Sequence, residues 1–141
     1  MRSRPRFVFD TNVLIDAACF NRSFGFRAYV TASSLGAIVM SQDTFAELRE
    51  VMMGPKFDRF VGRDLRRQIL TALQKDAEWL EPWCHYRVCR DPTDDKLIDL
   101  AVCAGATAII TRDADLLILH PLNGITVQDQ QAFLAAHQQT P

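Results

Sequence analysis

Short apolar runs that alternate with segments of helical periodicity are the feature that most constrains how this 141-residue chain folds. Four runs rich in branched or aromatic residues predict buried strands, at residues 7–9, 37–40, 108–110 and 125–127. A further strand within residues 79–88 is a weaker prediction because Pro82 cannot donate a hydrogen bond to a neighbouring strand. Strands separated by helices predict an α/β fold with a parallel sheet and right-handed crossovers.

Helical spacing of apolar residues fills the gaps between the strands. The predicted helices cover residues 14–19, 26–34, 44–53, 64–79, 94–104 and 130–137. Gly36 and Gly105 are positioned to end helices, and Asp129 is positioned to cap the last helix. Because no linker, repeat or low-complexity tract interrupts the pattern, we expect residues 1–141 to form a single domain.

Composition restricts the partners of the chain. The formal net charge is −1, so the molecule as a whole has no general attraction for nucleic acid, and any affinity must come from local patches. No apolar run approaches the roughly 20 residues of a membrane span, and an acid follows the basic N-terminus before a signal-peptide core can form. We therefore expect a cytoplasmic protein whose four cysteines, none of them in a CxxC pair, are reduced.

Acidic residues that lie far apart in the chain are predicted to meet at one edge of the sheet. They follow the first strand, begin the helix after the second strand, open the helix at 94–104, and follow the strand at 108–110. The residues are Asp10, Glu47, Asp94, Asp95, Asp113 and Asp115. Ligands of parallel α/β sheets bind beyond the carboxyl ends of the strands, so this edge is the predicted functional site.

Each acid also has a purely structural interpretation. Glu47 fits a capping box with Thr44, although its place beside the apolar face of the helix favours a groove edge. Asp94 and Asp95 suit the positive end of a helix dipole, and acids that follow a strand commonly form turns. Asp10 is the hardest to explain in this way, because no turn glycine follows it.

Electrostatics favours a metal at this edge. Two carboxylates about 5 Å apart repel each other by about 3 kcal/mol at an effective dielectric constant of roughly 20. Four such groups in one hollow therefore require protons or a cation. Because the ligands are all oxygens, with no set of His or Cys residues nearby, the sequence predicts Mg²⁺ or Mn²⁺.

Four segments carry these acids in order along the chain: FVFDTNVL, SQDTFAELREVM, DPTDDKLIDLA and IITRDADLL. In this order they resemble the acidic motifs of the PIN-domain nucleases, most of all the VapC-type toxins of bacterial toxin–antitoxin modules. The resemblance covers essentially the whole chain, with residues 56–88 the least diagnostic. It implies a three-layer α/β/α sandwich, one or two divalent ions in an acidic pocket, and cleavage of RNA phosphodiester bonds.

The resemblance also implies roles for individual residues. The catalytic and metal-binding acids are Asp10, Glu47, Asp95 and Asp113. The residues that support these acids or contact the substrate are Thr11, Asn12, Thr111, Arg112 and Asp115. From the residues alone, Asn12 is placed either to cap the following helix or to hold Asp10 by a hydrogen bond.

Other residues suit macromolecular partners. The basic residues that can attract RNA are Lys56, Arg59, Arg63, Arg66, Arg67 and Lys75, although a solvated helix face explains them as well. The apolar residues in excess of one core face are Leu14, Ile15, Phe24, Phe26, Tyr29 and Val30. This excess predicts a homodimer or burial of a segment of a cognate antitoxin, with an ordinary core as the alternative.

Three other classes of protein compete with a nuclease. A phosphohydrolase of the haloacid dehalogenase type needs a second Asp two residues after the first, where this chain has Asn12. A receiver-like module needs a lysine after a late strand, and IITRDADLL has none. A catalytically silent RNA-binding or regulatory domain stays open as the alternative.

Overall fold

The computed structural model describes residues 4–83, 85 and 94–137. A sheet of five parallel strands has the order β3-β2-β1-β4-β5. The strands are β1 (Arg6–Phe9), β2 (Ala37–Met40), β3 (Glu78–Trp79), β4 (Ala108–Ile110) and β5 (Thr126–Gln128). The helices in the described part are α1 (Thr11–Cys19), α2 (Phe24–Leu35), α3 (Gln42–Met52), α4 (Arg63–Asp76), α5 (Asp95–Ala104), α6 (Ala114–Leu117) and α7 (Gln130–Ala136). A single 3-10 turn, Pro55–Phe57, follows α3.

The sheet separates two hydrophobic cores. Successive side chains of a strand point to opposite faces, and in β1 the side chains of Phe7 and Phe9 enter one core while Val8 enters the other. Strands β2 and β4 alternate in the same way. Helices α1, α2, α3, α4 and α7 cover the first core, and α5 and α6 cover the second. The predicted α/β/α sandwich around a parallel sheet is confirmed.

The predicted elements agree with the structure in most places. Strands β2 and β4 have the predicted bounds, and β1 and β5 are displaced or extended by a single residue. Helix α4 ends at Asp76 rather than at residue 79, because the chain already enters β3 at Glu78. Of the predicted strand 79–88, residues 84 and 86–88 lie outside the described part. Helix α6 was not predicted, since four residues are too few to show a helical period.

One of the basic residues predicted to attract RNA is buried. The side chain of Arg66 is 0% exposed. Its Nη1 donates to the carbonyl oxygens of Met52 (2.8 Å) and Gly54 (3.1 Å), and its Nη2 pairs with Asp58. Met52 is the last residue of α3, where its carbonyl has no further helical N–H to accept from, and the Gly54 carbonyl also accepts from the N–H of Phe57 (3.2 Å). Arg66 therefore closes the end of α3, and its predicted role in RNA attraction is wrong.

The cysteines differ from the prediction in one respect. Cys19 is a free thiol, as expected. Cys103, on α5, is disulfide-bonded. The prediction of reduced thiols is therefore wrong for Cys103, because the search for CxxC pairs does not detect cysteines that only folding brings together.

The apolar excess noted in the sequence is only partly at the surface. Leu14 and Ile15 are buried, and Tyr29 packs against the first core. The residues that stay exposed, all on α2, are Phe24, Phe26 and Val30. In the described part of the chain, no helix is long and apolar enough to span a bilayer.

Candidate active site

The predicted acidic edge is built where β1, β4 and β5 end side by side. The N–H of Asp10 donates to the carbonyl of Ile110 (2.9 Å), so Asp10 continues the sheet one residue beyond β1. The N–H of Thr111 donates in the same way to the carbonyl of Gln128 (3.0 Å). The sheet therefore fixes the backbone of both residues. Their side chains start from positions that the pairing of the strands determines.

Asp10 occupies the N-cap position of α1, but its carboxylate makes no capping hydrogen bond. Instead its Oδ2 accepts a hydrogen bond from Thr111 Oγ1 (2.7 Å). Burial raises the pKa of Asp10 above its ordinary value of 3.8, and the carboxylates of Asp113 and Glu47 raise it further. Hydrogen bonds from Thr111 and from the backbone of Thr11 oppose this rise. Asp10 thus lies close enough to both Asp113 and Glu47 to be repelled by their carboxylates.

Both carboxylate oxygens of Glu47 have partners. Its Oε2 accepts a hydrogen bond from Thr11 Oγ1 (2.7 Å), and its Oε1 forms an ion pair with Lys96 Nζ (3.0 Å). Thr11 and Glu47 lie on α1 and α3, and Lys96 is the second residue of α5. Lys96 was not among the predicted site residues, although it stands inside the motif DPTDDKLIDLA as a lone cation beside two acids.

The capping of α3 leaves Glu47 available to this site. The capping box consists of Ser41 and Thr44: the side chain of Ser41 accepts from Thr44 N–H, and the side chain of Thr44 accepts from Ser41 N–H. The structural interpretation of Glu47 as the partner of Thr44 in a capping box is therefore wrong. Glu47 lies one turn further along the helix and points to Thr11 and Lys96.

Asp113 is tied to Asp10 through a hydroxyl. The N–H of Asp113 donates to Thr111 Oγ1 (3.0 Å), which in turn donates to Asp10. Asp113 also caps α6, because its Oδ1 accepts from the N–H of Asp115 (2.9 Å). Asp113 therefore forms the turn that begins α6, as predicted, and also lies beside Asp10. Asp115 lies in the first turn of α6 and is partly buried.

The remaining predicted residues lie around the same edge. Asp95 is the first residue of α5 and precedes Lys96, and Asp94 occupies the N-cap position. Asn12 is exposed within the first turn of α1, so the N-cap role belongs to Asp10 and the hydrogen bond to the Asp10 side chain comes from Thr111. Arg112 is exposed, and its Nη2 lies 3.4 Å from the carbonyl oxygen of Asn12.

The donor chemistry suits a hard divalent cation. Asp10, Glu47 and Asp113 offer only oxygen atoms, and the repulsion of Asp10 by the other two carboxylates is the kind that Mg²⁺ or Mn²⁺ relieves. The side chains are close without forming a ligand cage: among residues 4–83, 85 and 94–137, no three His, Cys, Asp or Glu are grouped so that they could hold an ion. The ammonium of Lys96 neutralises one of the Glu47 oxygens.

Comparison with known proteins supports this assignment of the fold. The family model described as "PIN domain" matches residues 6–115. The chain is 30% identical over 122 residues to the uncharacterized protein MJ1680 of Methanocaldococcus jannaschii, a match that covers 84% of this chain and 77% of that protein.

Among solved structures, the chain is similar to the crystal structure of PAE2754 from Pyrobaculum aerophilum, with a TM-score of 0.60 and 17% sequence identity. That match covers 96% of this chain and 90% of the other. The matched residues 6–115 run from β1 to the first turn of α6 and include every acid of the edge described above. The chain belongs to the PIN domain family, whose members are generally nucleases.

Proposed function

We propose that this protein is a metal-dependent endoribonuclease that hydrolyses RNA phosphodiester bonds at the acidic edge of the sheet. PIN domains typically use divalent metal ions. The observation that carries the proposal is the convergence of three acids on one edge: Thr111 Oγ1 joins Asp10 to the backbone of Asp113, and Thr11, next to Asp10, donates to Glu47. These acids come from the end of β1, from α3 and from the segment after β4. The fold brings them together despite their repulsion, which is typical of functional sites.

In this proposal Asp10, Glu47, Asp95 and Asp113 hold Mg²⁺ or Mn²⁺. When bound, the ion would lower the pKa of a coordinated water and stabilise negative charge on the phosphate oxygens. Glu47 or Asp113 accepts a hydrogen bond from the attacking water and so orients it towards phosphorus.

The neighbouring polar residues support these acids. Thr111 and Thr11 fix the carboxylates of Asp10 and Glu47 by neutral hydrogen bonds, which add no competing charge. Arg112, exposed beside the edge, is placed to bind a phosphate of the strand, and Asp115 supports Asp113 through its N–H.

Cleavage of a labelled single-stranded RNA by the purified full chain tests the proposal. Asp10→Asn should lower the rate in Mn²⁺ by more than about 100-fold, the loss that a supporting residue of a metal site can already cause. Glu50→Gln is the matched control, because Glu50 lies on α3 close to Glu47 but is exposed. Circular dichroism confirms that both variants fold. Cleavage at the wild-type rate by Asp10→Asn, or cleavage that survives EDTA, contradicts the proposal.

The second candidate function is an RNA-binding domain that does not cut. The ion pair between Lys96 and Glu47 favours this alternative, since it already neutralises one of the acids. The same assay separates the two functions. RNA that is bound but left intact in Mn²⁺ supports the silent domain.

The proposal extends to a toxin of a toxin–antitoxin module, which the order of the acidic motifs supports. Induced expression should arrest bacterial growth, and Asp10→Asn should not. Co-expression of a small protein from the neighbouring reading frame should restore growth if that protein is the antitoxin. Growth at the uninduced rate during wild-type expression contradicts the toxin role without affecting the nuclease proposal.

We also propose that the protein forms a homodimer through the exposed apolar residues of α2. Phe24, Phe26 and Val30 are each more than one-third exposed, which is costly for large apolar side chains. Multi-angle light scattering should give twice the chain mass for the wild type and the single-chain mass for Val30→Glu. The single-chain mass for both proteins contradicts the dimer.

A further inference from the structure

Among the described residues, Lys96 is the one cation that forms a direct ion pair with a predicted catalytic acid. Its Nζ lies 3.0 Å from Glu47 Oε1, with 30% of the lysine side chain and 33% of the glutamate side chain exposed. The chain has only two other lysines. Lys56 lies against the ring of Phe57, and Lys75 is exposed in the last turn of α4.

The position of Lys96 is electrostatically unfavourable for the helix that carries it. Lys96 is the second residue of α5, where the helix dipole presents partial positive charge and favours an acid. The ion pair with Glu47 offsets this cost, but a partly exposed ion pair stabilises a protein only weakly. Fold stability alone therefore gives a weak reason for a lysine at this point.

The geometry of the pair allows the lysine to leave. The second oxygen of Glu47 is held by Thr11, so the carboxylate keeps its orientation without Lys96. The next residues of α5, Leu97 and Ile98, are buried in the second core and hold the backbone in place. The lysine side chain has a flexible stem and partial access to solvent, so its ammonium can move without disturbing the packing.

We propose that Lys96 is an exchangeable counter-ion of the acidic site, an inference that rests on the proposed nuclease function. It neutralises Glu47 until a divalent cation binds that carboxylate. The ammonium then leaves Glu47 and binds a phosphate oxygen of the RNA strand. Lys96 thereby couples occupation of the acidic edge to binding of the substrate.

Mn²⁺ titration calorimetry of the full chain, without RNA, tests the first half of the exchange. Lys96→Met removes the competing cation and should tighten Mn²⁺ binding about twofold to fivefold, the range of a partly exposed ion pair. Lys96→Arg keeps the charge and should bind Mn²⁺ as the wild type does. Lys75→Met removes an equal charge far from the edge and is the matched control. If Lys96→Met binds Mn²⁺ no more tightly than Lys75→Met, the proposal is overturned.

RNA binding in EDTA, where no metal-dependent cleavage occurs, tests the second half. Glu47→Gln frees Lys96 and should tighten binding of a fluorescein-labelled single-stranded RNA severalfold. The slope of log K against log salt should steepen by about 0.7, the value for one additional phosphate contact on a single strand. In Glu47→Gln/Lys96→Met both effects should disappear. If the gain persists in this double variant, loss of a negative charge explains it and the exchange is overturned.

The two arms also separate this inference from the nuclease proposal. If Lys96→Met tightens Mn²⁺ binding and the RNA gain depends on Lys96, but the wild type cuts no RNA, the nuclease function fails and the exchange is supported. If the wild type cuts RNA with Mn²⁺ while neither arm responds to Lys96, the nuclease stands and the exchange is overturned. If the wild type does not bind Mn²⁺, the exchange is overturned whatever the RNA arm shows, because no cation then displaces Lys96 from Glu47.

Discussion

The acidic residues of the site are held in place by threonines from other motifs. Thr111, which follows β4, donates to Asp10 at the end of β1, and Thr11, beside Asp10, donates to Glu47 on α3. The meeting of these acids at one edge could be predicted from the sequence because each follows a strand or lies in the first turns of a helix. Their hydrogen-bond partners could not, because these depend on β1 and β4 being neighbours in the sheet.

The raised pKa of Asp10 predicts that its carboxylate destabilises the metal-free protein at neutral pH. A carboxyl group with a raised pKa in the folded state favours folding below its unfolded value of 3.8, and that advantage is lost as pH rises through the folded pKa. Asp10→Asn should therefore raise the melting temperature in EDTA at about pH 7.5. The gain should be on the order of 2–4 °C, the shift from about 1 kcal/mol.

A series of melting curves between about pH 4 and pH 8 checks this prediction. The advantage of Asp10→Asn should shrink as pH falls, because the wild-type carboxyl group then becomes protonated. Asp43→Asn is the control: Asp43 lies exposed in the first turn of α3, where a carboxylate stabilises the helix dipole. A lower melting temperature for Asp10→Asn at neutral pH is the result that contradicts the prediction.

Among single substitutions of polar residues, we expect replacement of Arg66 to cause the largest loss of stability. Arg66→Met leaves the Met52 carbonyl without its buried donor, removes one of the two donors to the Gly54 carbonyl and breaks the pair with Asp58. It should lower the free energy of unfolding by about 2–4 kcal/mol. Arg67→Met, one residue further along α4, breaks only an exposed pair with Asp64 and should cost under about 1 kcal/mol. Urea titration measures both variants, and equal losses would contradict the role of Arg66. The spacing of α4 could have distinguished the two arginines, because Arg66 shares the helix face of Leu70 and Leu73, whereas Arg67 lies about 100° away from it.

At the scale of elements, helix ends were the least predictable features. Ser41 caps α3 three residues before the predicted start of the helix, so Thr44 rather than Glu47 completes the capping box and Glu47 is free to face the site. Capping signals overlap when Ser, Thr and acids stand close together, and only the backbone conformation selects among them. By contrast, Gly105 has a left-handed φ of 60° at the end of α5, where a glycine was predicted to stop the helix.

Gly36, between α2 and β2, occupies a position where we expect even the methyl group of an alanine not to be tolerated. A Cβ at this residue would lie 2.0 Å from the carbonyl oxygen of Pro5, a backbone atom held by the N–H of Ala37. Gly36→Ala should destabilise the protein by about 1–3 kcal/mol or more, as overpacking does. Gly62→Ala is the control, since a Cβ there meets no atom within 4 Å. Thermal melting measures both variants. If Gly36→Ala lowers the melting temperature no more than Gly62→Ala does, the backbone at Pro5 moves away at little cost and the prediction is wrong.

At the scale of the whole molecule, the fold class and the edge carrying the site followed from the sequence because parallel strands direct their carboxyl ends to the same side. The positive charge of Lys96 at that edge was not predicted, because the motif DPTDDKLIDLA was used only for its acids. The net charge of −1 adds no attraction for RNA, so binding depends on the few cations near the edge, such as Lys96 and Arg112.

Because the acids of the site come from elements throughout the chain, a bound cation should stabilise the whole fold. The unfolded chain cannot bring Asp10, Glu47 and Asp113 together, so Mn²⁺ binds the folded state preferentially and shifts the unfolding equilibrium. At a concentration of about 100 times the Kd the gain is about 2.7 kcal/mol, which raises the melting temperature on the order of 5–10 °C. Differential scanning calorimetry should show this rise for the wild type and for Glu50→Gln, and its loss for Asp10→Asn and Glu47→Gln. An equal rise in all four proteins would place the ion elsewhere on the molecule, because only the two site variants remove a carboxylate from the edge.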